Sequence, residues 1–189
     1  MAKLTVLIDM DDVIEDLLGA WVQALNTKFG TDVKTEDISS WEIKDYFPSL
    51  TEEQVFEPLN DEGFWRNVKP KPGAERYIKE ILNDGHEVYV VTASHPETIS
   101  HKLNNVLFKY FPYLSYKDVI VTSHKQMIRG DILIDDSPVN LVGGKYQGIL
   151  MDMPHNRSFK AGKHKIFRAK DWAEIYDIVD ELSVLKEFE

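Results

Sequence analysis

Two aspartates that follow an apolar run are the first residues of the chain that could do chemistry. Residues 4–8 are apolar and β-branched, and the run ends at Asp9, with Asp11 two positions later. Residues two apart on an extended backbone point to the same side, so the two carboxylates should be neighbours. Neighbouring carboxylates repel each other unless a proton or cation lies between them, and a divalent metal with oxygen ligands would fit. The plainer alternative is that these acids only end a strand where it meets solvent.

Polar groups follow three later apolar runs in the same way. Thr92 ends one run with a hydroxyl that could hold a phosphate oxygen, and Lys125 follows another. Each has a structural alternative, because threonine is common in strands and most lysines lie in solvent. Asp135 and Asp136 follow the third run, and paired carboxylates at the end of a buried strand need a partner charge. That pair therefore favours a functional reading and a structural one equally.

Composition limits the classes of protein that the chain can represent. Its 189 residues are 43% hydrophobic and 29% charged, which is typical of one globular domain with a small appendage. We expect a cytoplasmic protein, because there is neither a signal peptide nor an apolar run near the ~20 residues of a membrane span. Cysteine is absent, so a metal would be held by oxygen or imidazole. A net charge of −10 argues against nucleic-acid binding, which needs a basic face.

The elements that would position these side chains alternate between strand and helix. Apolar runs near residues 88–92, 119–122, 132–135 and 148–151 predict strands, and helical periodicity predicts helices over 16–29, 73–84, 96–110 and 171–185. This alternation predicts an α/β fold, a doubly wound parallel sheet with right-handed crossovers. Ligands of such sheets bind outside the carboxyl ends of the strands, which is where the polar groups lie.

Residues 15–70 interrupt this pattern. They contain no strand-like run after the first helix, acids and aromatics alternate, and Thr51 and Gln54 predict a capping box that opens a short helix to about residue 59. We interpret 15–70 as a small helical cap inserted after the first strand of a core domain formed by 1–14 and 71–189. Two prolines within residues 69–73 make a stiff return linker.

The four polar stretches, taken in order, resemble the four motifs of the haloacid dehalogenase (HAD) superfamily of phosphohydrolases, whose core is Rossmann-like. Within that superfamily the chain is most similar to the 5'(3')-deoxyribonucleotidase family. The similarity rests on Asp9-Met10-Asp11, the aromatic-rich insertion, Lys71-Pro72-Gly73-Ala74, Leu133-Ile134-Asp135-Asp136, and His155-Asn156-Arg157 followed by Trp172.

The resemblance implies a role for each matched residue. Asp9 would be the nucleophile and Asp11 the general acid/base, while Thr92 and Lys125 would bind the phosphate. Mg²⁺ would be the cofactor, held by Asp9, the backbone carbonyl of Asp11, and Asp135 or Asp136. Two departures bear on substrate preference: Asp12 stands where the superfamily usually has glycine, and Ala93 stands where nucleotidases have a second hydroxyl.

The function implied is magnesium-dependent hydrolysis of phosphomonoesters through an aspartyl-phosphate, with nucleoside monophosphates as substrates. Trp41, Phe64 and Trp65 are the candidates for a base-stacking pocket, although each could instead pack the insertion onto the core. Two alternatives stay open: a HAD phosphatase for a sugar phosphate or other small metabolite, and a non-catalytic protein that binds a phosphate ligand. The predicted partner is a small phosphomonoester, with no nucleic acid or membrane, and a homodimer stays open.

Overall fold

A computed structural model describes residues 2–188 and contains one six-stranded sheet. Every neighbouring pair of strands is parallel, in the order β3-β2-β1-β4-β5-β6. The strands are β1 (Thr5–Ile8), β2 (Glu87–Thr92), β3 (Val119–Val121), β4 (Ile132–Asp135), β5 (Gln147–Met151) and β6 (Phe167–Ala169). The predicted doubly wound α/β fold is therefore confirmed, and the strand order reverses on either side of β1. Edge strand β6 was not predicted, because it has only three residues and lies in a basic stretch.

Eight α-helical segments are found within residues 2–188. They are α1 (Leu17–Phe29), α2 (Glu52–Phe56), α3 (Glu62–Trp65), α4 (Ala74–Asn83), α5 (Ile99–Lys102), α6 (Phe108–Tyr110), α7 (Pro138–Leu141) and α8 (Trp172–Lys186). Helix α1 lies within one residue of the predicted range 16–29 and is followed by Gly30, whose φ of 67° is left-handed. The capping box is also present: Thr51 accepts from Gln54 N and Gln54 Oε1 accepts from Thr51 N. After α2 that helix continues only as the 3₁₀ turn Glu57–Asn60.

The segment between residues 96 and 110 differs from the single regular helix that the sequence predicted. Helix α5 begins at Ile99, and a π-helical turn, Leu103–Leu107, separates it from α6. A π turn holds more residues than an α turn and so changes which side chains face the core on its two sides. In this segment Lys102, directly before the π turn, and Val106, within it, are both buried.

The core explains why the central strands read as continuous apolar runs. Val6 and Ile8 of β1 belong to the larger hydrophobic cluster on one face of the sheet, and Leu7 belongs to a smaller cluster on the other. A strand covered on both faces needs apolar side chains at every position. The larger cluster also includes Phe47 and Val55 of the insertion. The insertion therefore packs directly on the main core.

Residues 15–70 contribute helices and turns but no strand to the sheet. Trp21 and Trp65 anchor this segment internally, because their indole N–H groups donate to Val55 O at 2.7 Å and Leu59 O at 2.8 Å. The segment returns to the core where Lys71 N donates to Ile14 O at 2.8 Å. The division into a core and a separate cap with boundaries at 14 and 70 stays a prediction.

Candidate active site

Three of the predicted acids meet at the carboxyl ends of β1 and β4. Asp9 continues the register of β1, because its N–H donates to Ile134 O at 2.9 Å. Asp9, Asp135 and Asp136 are buried, and one carboxylate oxygen from each lies within 4.8 Å of the others. Burial and the neighbouring Asp135 raise the pKa of Asp9 to about 7. Burial, and next the negative charge of Asp9, raise the pKa of Asp136 well above its usual value.

Lys125 supplies positive charge to this group. Its Nζ lies 2.5 Å from Asp9 Oδ1 and 2.7 Å from Asp135 Oδ2, and the residue is 2% exposed. Burial alone would lower the pKa of Lys125, but the two carboxylates more than compensate and raise it above its usual value. The ammonium therefore stays charged between the candidate nucleophile and the second acid pair.

The two acids of the second pair differ in how many donors they accept. Asp135 Oδ1 accepts from Ser137 N at 2.8 Å, Asn140 Nδ2 lies 3.1 Å from both carboxylate oxygens, and Lys125 donates to Oδ2. The Asp136 carboxylate has one side-chain partner within residues 2–188, His155 Nε2 at 2.9 Å from Oδ2. Three carboxylates near one ammonium leave a surplus of negative charge on hard oxygen donors. This donor set fits Mg²⁺.

Asp11 lies outside the three-carboxylate group and pairs with a lysine that sequence analysis missed. Lys102 Nζ lies 2.5 Å from Asp11 Oδ1 and donates to Thr92 Oγ1 at 3.1 Å and Ser94 Oγ at 3.0 Å. Lys102 is 1% exposed, and Asp11 and Glu15 raise its pKa against the lowering effect of burial. The one feature of the sequence that could have indicated a buried Lys102 is its position four residues before Val106, on the apolar side of the predicted helix.

A second missed residue, Glu15, lies beside Asp11. Glu15 is fully buried, and within residues 2–188 no hydrogen-bond donor reaches either of its carboxylate oxygens. Burial raises the pKa of Glu15 well above its usual value, although Lys102 opposes this. Burial of Glu15 therefore disfavours a further negative charge next to Asp11.

Asp12, the residue in place of the usual glycine, occupies the left-handed region with φ 55°. Aspartate tolerates this conformation better than most side chains. Its Oδ1 accepts from Leu18 N at 3.0 Å and lies 3.6 Å from Lys71 Nζ, which also donates to Asp16 at 2.8 Å. Burial raises the pKa of Asp12 to about 7. Lys71 of the return linker thus compensates the extra acid beside Asp11.

Two cavities meet at Asp11. One of about 250 Å³ is lined by Asp9, Lys125 and Trp41, among others, and one of about 230 Å³ is lined by Lys102 and Trp65, among others.

The three aromatic residues predicted to form a pocket do not all line these two cavities, which together are called the cleft. Trp41 is 52% exposed and its ring centroid lies 4.0 Å from that of His155, whereas Trp65 is buried at the second cavity. Phe64 lines a different surface depression, beside Ala20 and Lys69. The structure brings Trp41 and Trp65 to the cleft and leaves Phe64 outside it.

Comparison with known proteins identifies the family. Residues 3–187 match the model of a family described as "5' nucleotidase, deoxy (Pyrimidine), cytosolic type C protein". The chain belongs to this deoxyribonucleotidase family. It is 37% identical over 175 residues to the 5'(3')-deoxyribonucleotidase of Bacillus subtilis, with 92% of this chain and 96% of the relative covered. It is 32% identical over 182 residues to that of Clostridium acetobutylicum, with 96% and 98% covered.

Solved structures show the same fold as this chain. A HAD family hydrolase from Deinococcus radiodurans, with bound phosphate and sodium, aligns with a TM-score of 0.64 at 14% identity, covering 94% of this chain and 95% of the other. A HAD hydrolase from Bacillus subtilis with bound magnesium aligns with a TM-score of 0.59 at 16% identity, covering 94% and 99%.

The predicted resemblance to HAD nucleotidases is confirmed, and the protein is a phosphomonoester hydrolase. Within residues 2–188 no helix is long and apolar enough to cross a membrane. The cytoplasmic location and the homodimer stay untested.

Proposed function

We propose that this protein hydrolyses nucleoside monophosphates with Mg²⁺ as cofactor, through an aspartyl-phosphate formed on Asp9. The observation that supports this most directly is the buried group of Asp9, Lys125, Asp135 and Asp136 at one sheet edge, with Asp11 beside the group and paired with Lys102 instead. A nucleophile with a charge-neutralising lysine on one side and an acid/base on the other is the arrangement that phosphoryl transfer requires.

The metal would be held by the side chains of Asp9 and Asp136 and by the backbone carbonyl of Asp11. Asp136 is preferred to Asp135 because the carboxylate of Asp135 already accepts hydrogen bonds from three residues at both oxygens. Bound Mg²⁺ supplies charge that stabilises the oxygens of the transferring phosphoryl group. Asp135 acts indirectly, by fixing Lys125.

Phosphate binding is assigned to Lys125 and Thr92, with Lys102 as an additional cation. A phosphate monoester carries about two negative charges near neutral pH, and it repels an anionic nucleophile unless cations surround it. Lys102 lies within hydrogen-bond distance of Thr92 and Ser94, so it orients both hydroxyls at the end of β2. Ser94 thereby supplies a hydroxyl near the position where Ala93 lacks one.

The reaction then follows from the positions of the two aspartates. Asp9 attacks phosphorus in line with the ester oxygen, the phosphorus–oxygen bond to the nucleoside breaks, and Asp11 donates a proton to the departing alkoxide. Asp11 then accepts a proton from the water that attacks the aspartyl-phosphate. Inorganic phosphate leaves and the Asp9 carboxylate is restored.

Specificity is assigned to Trp41 and Trp65, which line the two cavities that meet at Asp11. Stacking on a base contributes about 1–3 kcal/mol, and it tolerates different bases because every base has a π face. Phe64 is assigned a packing role, because it lines neither cavity.

The proposal is tested by measuring phosphate release from deoxyribonucleoside and ribonucleoside monophosphates, with 5' or 3' phosphates, beside a panel of sugar phosphates. We expect nucleotides to have the highest kcat/KM, activity to require Mg²⁺, and EDTA to abolish it. A clear preference for a sugar phosphate would favour the metabolite-phosphatase alternative. Full turnover in EDTA would contradict the metal assignment.

A further inference from the structure

The turn Pro154–Asn156 holds Asp136 at both its backbone and its side chain. Asn156 Nδ2 donates to Asp136 O and to Met151 O, both at 2.8 Å, and His155 Nε2 lies 2.9 Å from Asp136 Oδ2. Asn156 is itself fixed, because its Oδ1 accepts from Met153 N at 3.2 Å. The orientation of Asp136 is thus determined by residues that come about 20 positions later in the chain.

The other face of His155 belongs to the insertion. The Trp41 ring lies against the imidazole with centroids 4.0 Å apart and planes tilted by 53°. His155 is 7% exposed, whereas Trp41 is half exposed on the cavity that Asp9 and Asp136 also line. The histidine ring therefore contacts both Trp41 in the cleft and Asp136 in the three-carboxylate group, which is called the metal group below.

We propose that His155 is a positioning residue that couples the insertion to the metal site: its Nε2–H orients the Asp136 carboxylate for Mg²⁺, and its ring seats Trp41 over the cleft. An ionised carboxylate can only accept, so Nε2 carries the proton when Asp136 binds a metal. The hydrogen bond occupies Oδ2 and leaves the other oxygen to the cation. Removing Trp41 frees the imidazole to turn, and the orientation of Asp136 is then lost as well.

Two substitutions at this position separate the two contacts. His155→Phe keeps a ring for Trp41 but removes the donor to Asp136, and His155→Gln keeps an N–H donor but removes the ring. Mg²⁺ binding is measured by isothermal titration calorimetry without substrate, and circular dichroism checks folding. We expect His155→Phe to weaken Mg²⁺ binding about 10–100-fold, the usual effect of losing such a partner, and His155→Gln to change it less than about threefold.

Steady-state kinetics at saturating Mg²⁺ tests the ring contact. His155→Gln should raise KM for thymidine 5'-monophosphate more than KM for p-nitrophenyl phosphate, while His155→Phe should not. Trp41→Ala should weaken Mg²⁺ binding several-fold although Trp41 has no ligand atom for the metal. His164, an exposed histidine whose ring is stacked on Phe159 at 5.1 Å, is the matched control, and its Phe and Gln variants should behave as wild type.

This inference rests on the proposed metal site, and the calorimetry separates the two. Wild-type protein that does not bind Mg²⁺ would overturn the proposed function. Wild-type binding with an unchanged dissociation constant in His155→Phe would overturn the positioning role alone. An unchanged constant in Trp41→Ala would overturn the coupling to the insertion.

Discussion

At the scale of single residues, Asp9 and Asp11 differ in their partners, and this difference predicts different mutant behaviour. Asp9 contacts Lys125 within the metal group, whereas Asp11 contacts Lys102 outside it. Asp9→Asn should be inactive on every substrate, because a carboxamide cannot form the acyl-phosphate.

Asp11→Asn should depend on the leaving group. A nucleoside alkoxide needs a proton to depart, whereas p-nitrophenolate does not, but water attack in the second step still lacks its base. With p-nitrophenyl phosphate and Mg²⁺ this variant should release about one equivalent of nitrophenol per active site and then slow sharply, the burst expected of a covalent intermediate. Mass spectrometry after an acid quench should find phosphate on Asp9. Identical behaviour of both variants on both esters would show that the roles are wrongly assigned.

Residue chemistry was predictable from sequence where a polar side chain ends a buried strand. Asp9, Asp135 and Lys125 follow apolar runs, and parallel strands bring their carboxyl ends to one edge. Lys102 lies within a helix, where a lysine normally indicates a solvated face. Glu15 lies in a turn where two further acids precede it, so nothing in its local pattern distinguishes it. Both depend on tertiary contacts that the local sequence pattern does not show.

At the scale of elements, the π turn Leu103–Leu107 determines where Lys102 points. Val106 and Leu107 are fully buried and fix the second half of the segment, and Asn104 is exposed. Deletion of Asn104 would restore a regular α-helix and turn Lys102 by about 100° out of the cleft. We expect kcat/KM to fall more than about 100-fold. The variant would lose the ion pair of Lys102 with Asp11 and the proposed contact of Lys102 with the phosphate, and each such contact contributes about 1.5–3 kcal/mol.

Asn104→Ala is the control for this deletion, because it removes the same side chain and keeps the chain length. It should retain wild-type kcat/KM. A deletion variant with normal kinetics and a normal Tm would show that the register of this segment does not matter for Lys102.

The insertion supports a second prediction at this scale. Trp41→Ala should raise KM for a nucleotide about tenfold and leave Tm and the KM for p-nitrophenyl phosphate nearly unchanged, since the half-exposed ring stacks on a base. Trp65→Ala should also lower Tm, because Trp65 is 3% exposed and donates to Leu59 O. Phe64→Ala should lower Tm alone. A large nucleotide-specific change in KM for Phe64→Ala would return that residue to the pocket.

The elements themselves were predictable to different degrees. The hydrophobic periodicity of 16–29 and the capping box at Thr51 gave correct helices, because local side-chain pattern and tertiary packing agree there. The π turn was not predictable, since it arises from burying Lys102 and Val106 on the same segment. Strand β6 is held by pairing with β5, from Ile149 opposite Phe167 to Met151 opposite Ala169, rather than by its own composition.

At the scale of the whole molecule, the buried acids make stability depend on pH. The pKa of Asp9 and of Asp12 rises from 3.8 to about 7 on folding. A group with a raised folded-state pKa contributes stability below its unfolded pKa and loses it as pH rises through the folded value. Between pH 5.5 and the folded pKa of about 7, one such group loses at most about 2 kcal/mol of stabilisation. In EDTA we therefore expect Tm to be higher at pH 5.5 than at pH 8, by more than about 5 °C.

Asp12→Asn isolates the contribution of Asp12 to the slope of Tm against pH, because asparagine tolerates the same left-handed backbone and cannot ionise. The variant should lose less Tm than wild type between pH 5.5 and 8, and Mg²⁺ should flatten the remaining slope by compensating Asp9. Asp32→Asn, at an exposed site, is the control and should leave the slope unchanged. An Asp12→Asn profile that is parallel to wild type would mean that Asp12 does not titrate in this range.

The network around Asp135 has a consequence for how the enzyme responds as charge moves. Hydrogen bonds from Ser137, Asn140 and Lys125 engage both oxygens of its carboxylate, which is fully buried. Such a group has no freedom to rotate when the phosphoryl group gains or loses negative charge. The orientation of this carboxylate is fixed when the chain folds. The site therefore avoids most of the reorganisation energy that water molecules in its place would require at every turnover.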